Sequence, residues 1–489
     1  MAVPDSPPSF LATGRGKITL VLLCAIAFLD FIDASIVNVA LPAMRDDLDF
    51  SVQSLQWVPS GYLLTYGGFM LLGGRAADLL GRRRVLVTGT LLFAISSLVG
   101  GLAGTAGVLV GARLAQGVGA AMMLPATLSI LTTTFREGSD RNTALGVWGG
   151  VAGGASAAGV LLGGVLTDGP GWRWVMLVNP PISLIVLGGV FVLIDGDRRT
   201  ARLAHFDILG TTLVTSAMLL LVYTLVKAPD VGWGGFRTIA GLAGALALLI
   251  AFLINEQRSR NPLLPLSIFQ IKGLAASDVT QLITIAGFGS MFFFLSLYME
   301  NVLSYSPLQT GSAYLPLCFG VGIAAGISSK LLTRVGTRPL IVAGLLVAAG
   351  GLYWLSRIPA DGSYLTDLLP GLMITSFGLG AVFVSVTSAA NAGVPADQAG
   401  LAAALLNASQ QLGGALGLAI FSAIATSRTN HLLAARTPLP QALTEGFQRA
   451  LLASCIFLLA AAAVALRASN TRGEAQQPAT EALLEPARQ

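Results

Sequence analysis

Long, nearly uncharged apolar runs recur along the whole chain, and short charged or turn-rich breaks separate them. A helix needs about 20 apolar residues to cross the hydrocarbon core of a bilayer, and these runs are of that length. A spanning β-barrel would instead show segments of about ten residues with alternating hydrophobicity. The sequence therefore predicts an all-α membrane protein.

The composition supports this fold class and excludes others. Only 11% of the 489 residues are charged, whereas soluble domains carry about 25%. The net charge of +5 is scattered over short loops, which argues against a nucleic-acid partner. The three cysteines lie inside apolar runs, so no disulfide framework is expected.

The apolar runs predict fourteen transmembrane helices. With both termini inside, inner segments hold about 20 of the Lys and Arg residues and outer segments about 8. We therefore expect a multi-pass protein of a bacterial inner membrane with both termini cytoplasmic. The predicted spans lie near 17–42, 55–74, 85–103, 107–131, 143–167, 174–194, 207–227, 238–255, 275–299, 310–329, 339–356, 368–390, 401–426 and 447–466.

A weak internal repeat divides the chain. The segment Gly74–Arg83 after the second span has Gly and basic residues in the same register as Ser329–Arg338 after the tenth. Such an echo is expected when two helical bundles repeat one architecture. It predicts a six-helix bundle in 1–200, a second in 261–467, an inserted helix pair in 201–260, and a disordered cytoplasmic tail in 468–489.

The first predicted helix contains two acids, Asp30 and Asp33. An acid at membrane depth is costly and marks a functional site by default. Three residues apart, the two share one face of the helix, so their charges repel. A carboxyl that can exchange a proton is what proton coupling requires. A structural acid, hydrogen-bonded inside the bundle, is the alternative for each.

Arg113 is the only basic residue well inside a predicted span. It lies about 9 Å from the outer end of the fourth helix, at a depth close to that of Asp33. We expect an ion pair between them, direct or through water, that breaks when Asp33 is protonated. A constant structural pair is the alternative.

Two further features concern glycines. The turn from Gly74 to Arg84 holds one acid and four bases; Gly81 permits a tight turn, and Asp78 could latch an inner gate. A basic loop that only sets topology is the alternative. In the fifth helix Gly146, Gly150 and Gly154 recur every four residues, and Gly159 and Gly163 repeat that spacing. Small residues at this spacing permit close helix packing or sliding.

Other polar and aromatic residues give weaker signals. We expect Asp278 and Glu300, near the two ends of the ninth span, to be interfacial. One set of aromatic residues could line an apolar or cation-attracting pocket, although core or lipid-facing packing is commoner. The set comprises Tyr62, Tyr66, Phe292, Phe293, Phe294 and Tyr298.

Soluble-type catalytic motifs are missing from the sequence. No GxxxxGK[ST] motif is present, so the chain has no P-loop for ATP hydrolysis. The two histidines, His205 and His431, have no cluster of metal-ligating residues in the sequence around them. We therefore expect no enzyme activity, no cofactor and no metal.

Four segments in order resemble the major facilitator superfamily, and within it the fourteen-span drug:proton antiporters. They are Ile32–Pro42, with Ser35 where Thr is usual, Gly74–Arg84, Arg113–Ala121 and Trp172–Pro181. The antiporter motif of the fifth helix is matched by Gly159, Gly163 and Gly164, but Val160 replaces its usual Pro. That replacement makes the direction of transport less firmly implied.

The resemblance implies two bundles that rock about a central site. Asp33 would bind a proton or a cationic substrate group, Arg113 would tune that acid, and Asp30 would share the site. The inner gate motif would comprise Gly74, Asp78, Gly81, Arg82 and Arg83.

The expected function is proton-driven export of small amphipathic or lipophilic compounds by a monomer among membrane lipids. A dedicated exporter of one metabolite, lipid, siderophore or amino acid is the alternative. A membrane scaffold or sensor is disfavoured, because it gains little from buried charges.

Overall fold

Helices follow the predicted apolar runs. The computed structural model describes residues 10–135, 139–196, 207–259, 262, 264, 266–394 and 399–472. In that part of the chain, fourteen helices of 15 residues or more coincide with the runs. They are α1 (Gly14–Asp47), α2 (Trp57–Leu80), α3 (Arg82–Gly101), α4 (Ala106–Thr134), α5 (Ser139–Asp168), α6 (Asn179–Leu193), α7 (Ile208–Val231), α8 (Phe236–Arg258), α9 (Leu274–Asn301), α10 (Leu315–Val335), α11 (Thr337–Leu355), α12 (Leu369–Asn391), α13 (Ala399–Ala434) and α14 (Leu439–Ala465).

Short helical turns precede three of these helices and extend them. They are Arg173–Leu177 before α6, Pro307–Ala313 before α10, and the π-turn Tyr364–Leu368 before α12. Counting these extensions, 11 helices among the described residues are long and apolar enough to cross a membrane. The remaining predicted spans coincide with α2, α5 and α7. The protein is therefore an all-helical, multi-pass membrane protein.

The two segments of the sequence repeat form similar turns. Gly81 joins α2 to α3 with a φ of 106°, and Gly336 joins α10 to α11 with a φ of 93°. L-residues with a side chain rarely adopt positive φ, so each turn depends on glycine. Because successive helices reverse direction, α1 begins and α14 ends at the same end of the bundle, here called the terminal end. The opposite end is called the distal end.

Helices α1–α6 and α9–α14 meet along two seams. At the distal end, a Cβ built on Gly164 of α5 would lie 2.7 Å from the Cα of Leu308. At mid-depth, one built on Gly67 of α2 would lie 2.9 Å from the Cβ of Gln411 in α13. The predicted domain boundaries at 200 and 260 fall outside the described residues.

The inserted helix pair covers the second seam. A buried cluster joins α2, α7 and α13 through Leu64, Val222, Ala415 and Ala419. Helix α8 packs against α7, where a Cβ on Gly241 would meet the side chain of Thr224. The insertion therefore contacts both halves of the chain rather than linking them only in sequence.

The predicted disordered tail begins with an ordered segment. Ser469 O accepts a hydrogen bond of 2.6 Å from Thr337 Oγ1, and Ala468 O accepts one of 3.0 Å from Arg338 Nε. Ser469 Oγ also donates to the carbonyl of Lys272, before α9. The prediction therefore placed the tail boundary too early, because polar groups at the start of α11 bind this segment. Residues 473–489 lie outside the described residues.

Candidate functional site

The Asp33 carboxylate of α1 is completely buried and accepts three hydrogen bonds from side chains. Arg113 Nη1 of α4 lies 2.6 Å from Asp33 Oδ2. Asp33 Oδ1 accepts from Gln116 Nε2 at 2.9 Å and from Asn179 Nδ2 at 2.7 Å. The ion pair expected from the sequence is therefore direct. The side-chain amides of Gln116 in α4 and Asn179 in α6 donate the other two hydrogen bonds to the carboxylate.

The Arg113 guanidinium has partners besides Asp33. Its Nε donates to the carbonyl of Val58 at 3.1 Å, and its Nη1 also donates to Gln116 Oε1 at 2.8 Å. Its Cζ lies 4.1 Å from the centroid of the Tyr62 ring, a cation–π distance. Arg113 is 1% exposed, and these contacts would hold its charge in place if Asp33 became neutral.

Ser97 of α3 links the amides to a further helix. Its Oγ donates to the carbonyl of Met176 at 2.8 Å and lies 2.9 Å from Asn179 Nδ2. Gln116 Nε2 lies 3.4 Å from the same oxygen. The network therefore joins α1, α3, α4 and the turn before α6 through side chains that are fully buried.

Asp30, one turn before Asp33, lies in a different environment. Its Oδ1 accepts from Tyr62 Oη at 2.8 Å and its Oδ2 from Tyr66 Oη at 2.6 Å. Asp30 is thus held by neutral phenols of α2. The same helix meets the second half of the chain one residue further on, at the approach of Gly67 to Gln411 of α13.

The tyrosines of α2 pack in the core, which was one of the alternatives that the sequence left open. The structure adds that Tyr62 and Tyr66 both donate to Asp30. The spacing of four residues in α2 was the available signal, since it puts both hydroxyls on one face. It could not show that the face meets α1.

Small residues let the helices of the site approach closely. A Cβ on Gly117 of α4 would clash with the Tyr62 carbonyl and the Thr65 hydroxyl of α2. Thr65 Oγ1 also donates to the carbonyl of Leu114 at 2.7 Å. This close α2–α4 packing brings Arg113 within reach of the Val58 carbonyl and the Tyr62 ring.

The fifth-helix glycines pack against α1 and the distal seam. A Cβ on Gly159 would clash with the Ser35 hydroxyl, and one on Gly163 would lie 2.8 Å from the Ile36 carbonyl. Gly164 faces Leu308, as described above. Gly154 differs from the expected close packing, because a Cβ there would meet nothing within 4 Å. The surroundings of Gly146 and Gly150 lie outside the described residues.

Val160 stands where the antiporter motif usually has Pro. Helix α5 is continuous through this position, as expected for a residue that retains its N–H. The Val160 carbonyl packs against Gly311 of the turn before α10. A Pro would present the same carbonyl, so this contact does not require the substitution.

The gate motif lies at the terminal end. Arg83 Nη2 donates to the carbonyl of Phe191 at 3.1 Å, next to an Arg15–Asp195 pair at 3.3 Å. Arg82 and Arg83 line a cavity of about 310 Å³ there, which is remote from the residues that surround Asp33. A Cβ on Gly74 would make an ordinary 3.6 Å contact with Pro125. The side chain of Asp78 lies outside the described part of the chain.

Sequence reasoning missed Ser97 and did not assign roles to Gln116 and Asn179, which it quoted only within longer motifs. A signal existed for Gln116, because it lies one turn after Arg113 on the same face. Ser97 gave no signal, since a serine in an apolar run is common and its partners are distant in sequence.

Comparison with known proteins assigns the chain to a family. The model of the Major Facilitator Superfamily matches residues 23–418. The chain belongs to this superfamily. It is 39% identical to puromycin resistance protein pur8 of Streptomyces alboniger, over 96% of this chain and 94% of that protein. It is 36% identical to cephamycin export protein CmcT of Amycolatopsis lactamdurans, over 92% of both chains.

A solved structure shares the fold. The inward-facing, occupied bacterial homolog of the human lysosomal transporter Spinster superposes with a TM-score of 0.64, covering 93% of this chain and 97% of that one. At 18% identity, this likeness concerns the fold alone. The family membership makes this chain a membrane transporter rather than an enzyme.

Proposed function

We propose that this transporter is a proton-coupled exporter of small amphipathic or lipophilic molecules, with fourteen spans in a bacterial inner membrane. The single observation that carries the proposal is the buried ion pair of Asp33 in α1 and Arg113 in α4, with 2.6 Å between Asp33 Oδ2 and Arg113 Nη1. An ionisable pair inside a membrane protein is costly to maintain and marks an ion pathway by default. Relatives named for puromycin resistance and cephamycin export support the outward direction.

Protonation of Asp33 would loosen the network by removing one charge. The carboxylate accepts from Arg113, Gln116 and Asn179, and hydrogen bonds to an ionised acceptor are roughly twice as strong as neutral ones. Weakening them would free α1 to move relative to α4 and α6. Arg113 would keep its contacts with Val58 and Tyr62, so its positive charge would favour later release of the proton.

Movement of α1 would reach the boundary between the halves through α5. Gly159 and Gly163 pack on α1, and Gly164 packs on Leu308 of the second half. The distal seam is packed in this structure, which supports a state open toward the terminal end. We propose that this end is cytoplasmic, and that Asp78, with Gly74, Gly81, Arg82 and Arg83, secures it in the alternate state.

The domain organisation belongs to the same proposal. Residues 1–200 and 261–467 would rock as two bundles about a central site, with 201–260 as the inserted pair. The proton gradient would supply the energy without a cofactor, and a monomer among membrane lipids would suffice.

The variant Asp33→Asn tests the coupling. In proteoliposomes loaded with ethidium or puromycin, we expect gradient-driven efflux to be lost while the protein stays folded by size-exclusion chromatography. Asp195→Asn is the matched control, because that acid is 96% exposed in its pair with Arg15; it should transport as the wild type does. Wild-type efflux by Asp33→Asn would refute the coupling role.

A dedicated exporter of one metabolite is the second candidate. Two relatives carry names tied to single antibiotics, puromycin and cephamycin. Expression in a pump-deficient bacterial host, followed by resistance profiling against diverse dyes and antibiotics, separates the two. Protection against one compound class supports the narrow exporter, and protection against several supports the broad one.

A further inference from the structure

Helix α9 holds two buried side chains whose oxygens have no hydrogen-bond partner in the described part of the chain. Asp278 is 4% exposed, and neither of its carboxyl oxygens has a hydrogen-bond partner. Gln281 is 1% exposed, and its Oε1 is also without a partner. Asp278 lies near the start of α9, where the sequence places it, and packing against other helices covers its side chain.

The packing of α9 on α13 shows where these side chains lie. A Cβ on Gly413 would contact Leu282, and one on Gly417 would contact Ala286, so the two helices run in parallel register. One turn earlier, Asp278 and Gln281 occupy the face that leads toward α13, level with Ser409 and Gln410. This place is in the second half of the chain and does not include the network around Asp33.

No described charged group acts on the Asp278 carboxyl, and burial alone sets its environment. Helix α12 has no charged residue. On α1, Lys17 is exposed, Asp30 accepts from Tyr62, and Asp33 is paired with Arg113 of α4. Exposed Lys272 and Arg467 lie at the ends of α9 and α14. The charged residues of α13 and α14 lie in their distal portions: Arg428, His431, Glu445 and Arg449.

A carboxylate ion in such a place is far more costly than a neutral acid. Burying an ionised carboxyl without a partner is so unfavourable that the group takes up a proton instead. The neutral acid would have one O–H to donate, and Gln281 Oε1, an unpaired acceptor, stands one turn along the same face. Uptake of one proton by Asp278 would therefore supply a donor for the unpaired acceptor of Gln281.

We propose that Asp278, assisted by Gln281, is a second proton-binding carboxyl that acts independently of Asp33. It holds a proton while α9 and α13 cover it, and releases that proton to water in a conformation that exposes it. This extends the proposed proton-coupled function, because protons would then bind in both halves of the transporter.

Infrared difference spectroscopy on the purified full-length protein in liposomes tests this without any substrate. At neutral pH, the wild type should show a C=O band of a protonated carboxyl that Asp278→Asn removes. Asp278→Glu should shift the band. Asp33→Asn and the neighbouring Ser277→Ala, whose hydroxyl bonds Gly273 of its own helix, should leave it in place.

The outcomes separate this inference from the proposed function. An unchanged band in folded Asp278→Asn would overturn the second proton site. If that variant does not fold, an unshifted band in Asp278→Glu overturns it equally. Efflux by Asp33→Asn would refute the coupling proposed for Asp33, and it has no bearing on the Asp278 band.

Discussion

The two halves of the chain bury polar groups in different ways. In the first half, side chains from α1, α3, α4 and α6 bond to one another around Asp33. In the second half, several buried hydroxyls donate to carbonyls of their own helix one turn back, as Thr284 does to Thr280. The side-chain bonds from α9 to other helices join neutral hydroxyls, as between Ser290 and Ser454 of α14 at 3.2 Å.

This difference implies that two halves of similar architecture respond differently to protonation. Hydrogen bonds between helices fix the helices relative to one another, and those to an ionised group weaken when it is protonated. A hydrogen bond within one helix neither fixes that helix relative to its neighbours nor depends on an ionised acceptor. We infer that the first half responds to protons as a set of helices, whereas the second half joins its helices through neutral groups and keeps Asp278 apart from them.

The largest expected effect comes from breaking the charged pair. Arg113→Gln leaves the Asp33 carboxylate buried without its cation, and we expect a loss of about 3–5 kcal/mol in the free energy of unfolding. The double variant with Asp33→Asn removes both charges and should recover most of that loss. Efflux should fail in both variants. Denaturant unfolding in micelles measures the stabilities, and a double variant as unstable as Arg113→Gln would contradict the pairing argument.

The next effect concerns the distal seam, where Gly164 of the first half packs against Leu308 of the second. Gly164→Ala places a methyl group 2.7 Å from the Leu308 Cα and 2.9 Å from the Pro307 carbonyl, so backbone must shift. We expect a loss of about 1–3 kcal/mol in the free energy of unfolding, together with slower efflux. Gly154→Ala in the same helix meets nothing within 4 Å and serves as the control. Equal stability of the two variants would mean that the seam is not tightly packed.

The smallest effects compare hydroxyls in the two halves. Ser97→Ala leaves the Met176 carbonyl and part of the amide network without a partner, and should cost about 1–2 kcal/mol in the free energy of unfolding. Thr284→Val in α9 removes a bond only to its own helix, and should cost less than about 1 kcal/mol. Thermal unfolding of both variants provides the measurement. Equal losses would remove the distinction between the halves.

Much of the fold could be predicted, because the bilayer allows few solutions. An apolar run of about 20 residues with few charges has to be helical to satisfy its backbone, so helix positions follow from the sequence. The charged pair could also be predicted, since Asp33 and Arg113 lie at similar depths and each needs a partner. The remaining contacts depend on which helix faces meet, and apolar helices give little signal for that.

Asp30 and Asp278 illustrate the limit. Each is an acid within a predicted span. The structure gives Asp30 two tyrosine hydroxyls, whereas Asp278 has no partner among the described residues. The partners of Asp30 lie 32 and 36 residues away in another helix. Residue spacing within one helix does not predict contacts between helices.

By itself, the sequence determined that the chain is helical, where its helices lie, and which few charges are inside them, because solvation in a bilayer penalises every other arrangement. Only the tertiary structure decided which partners those charges have. Hydrogen bonding is short-ranged and directional, so a rotation of one helix would replace Gln116, Asn179 and Tyr66 with other side chains. The same two carboxyls of α1 could then have been a single cluster, rather than one ion pair and one acid held by phenols.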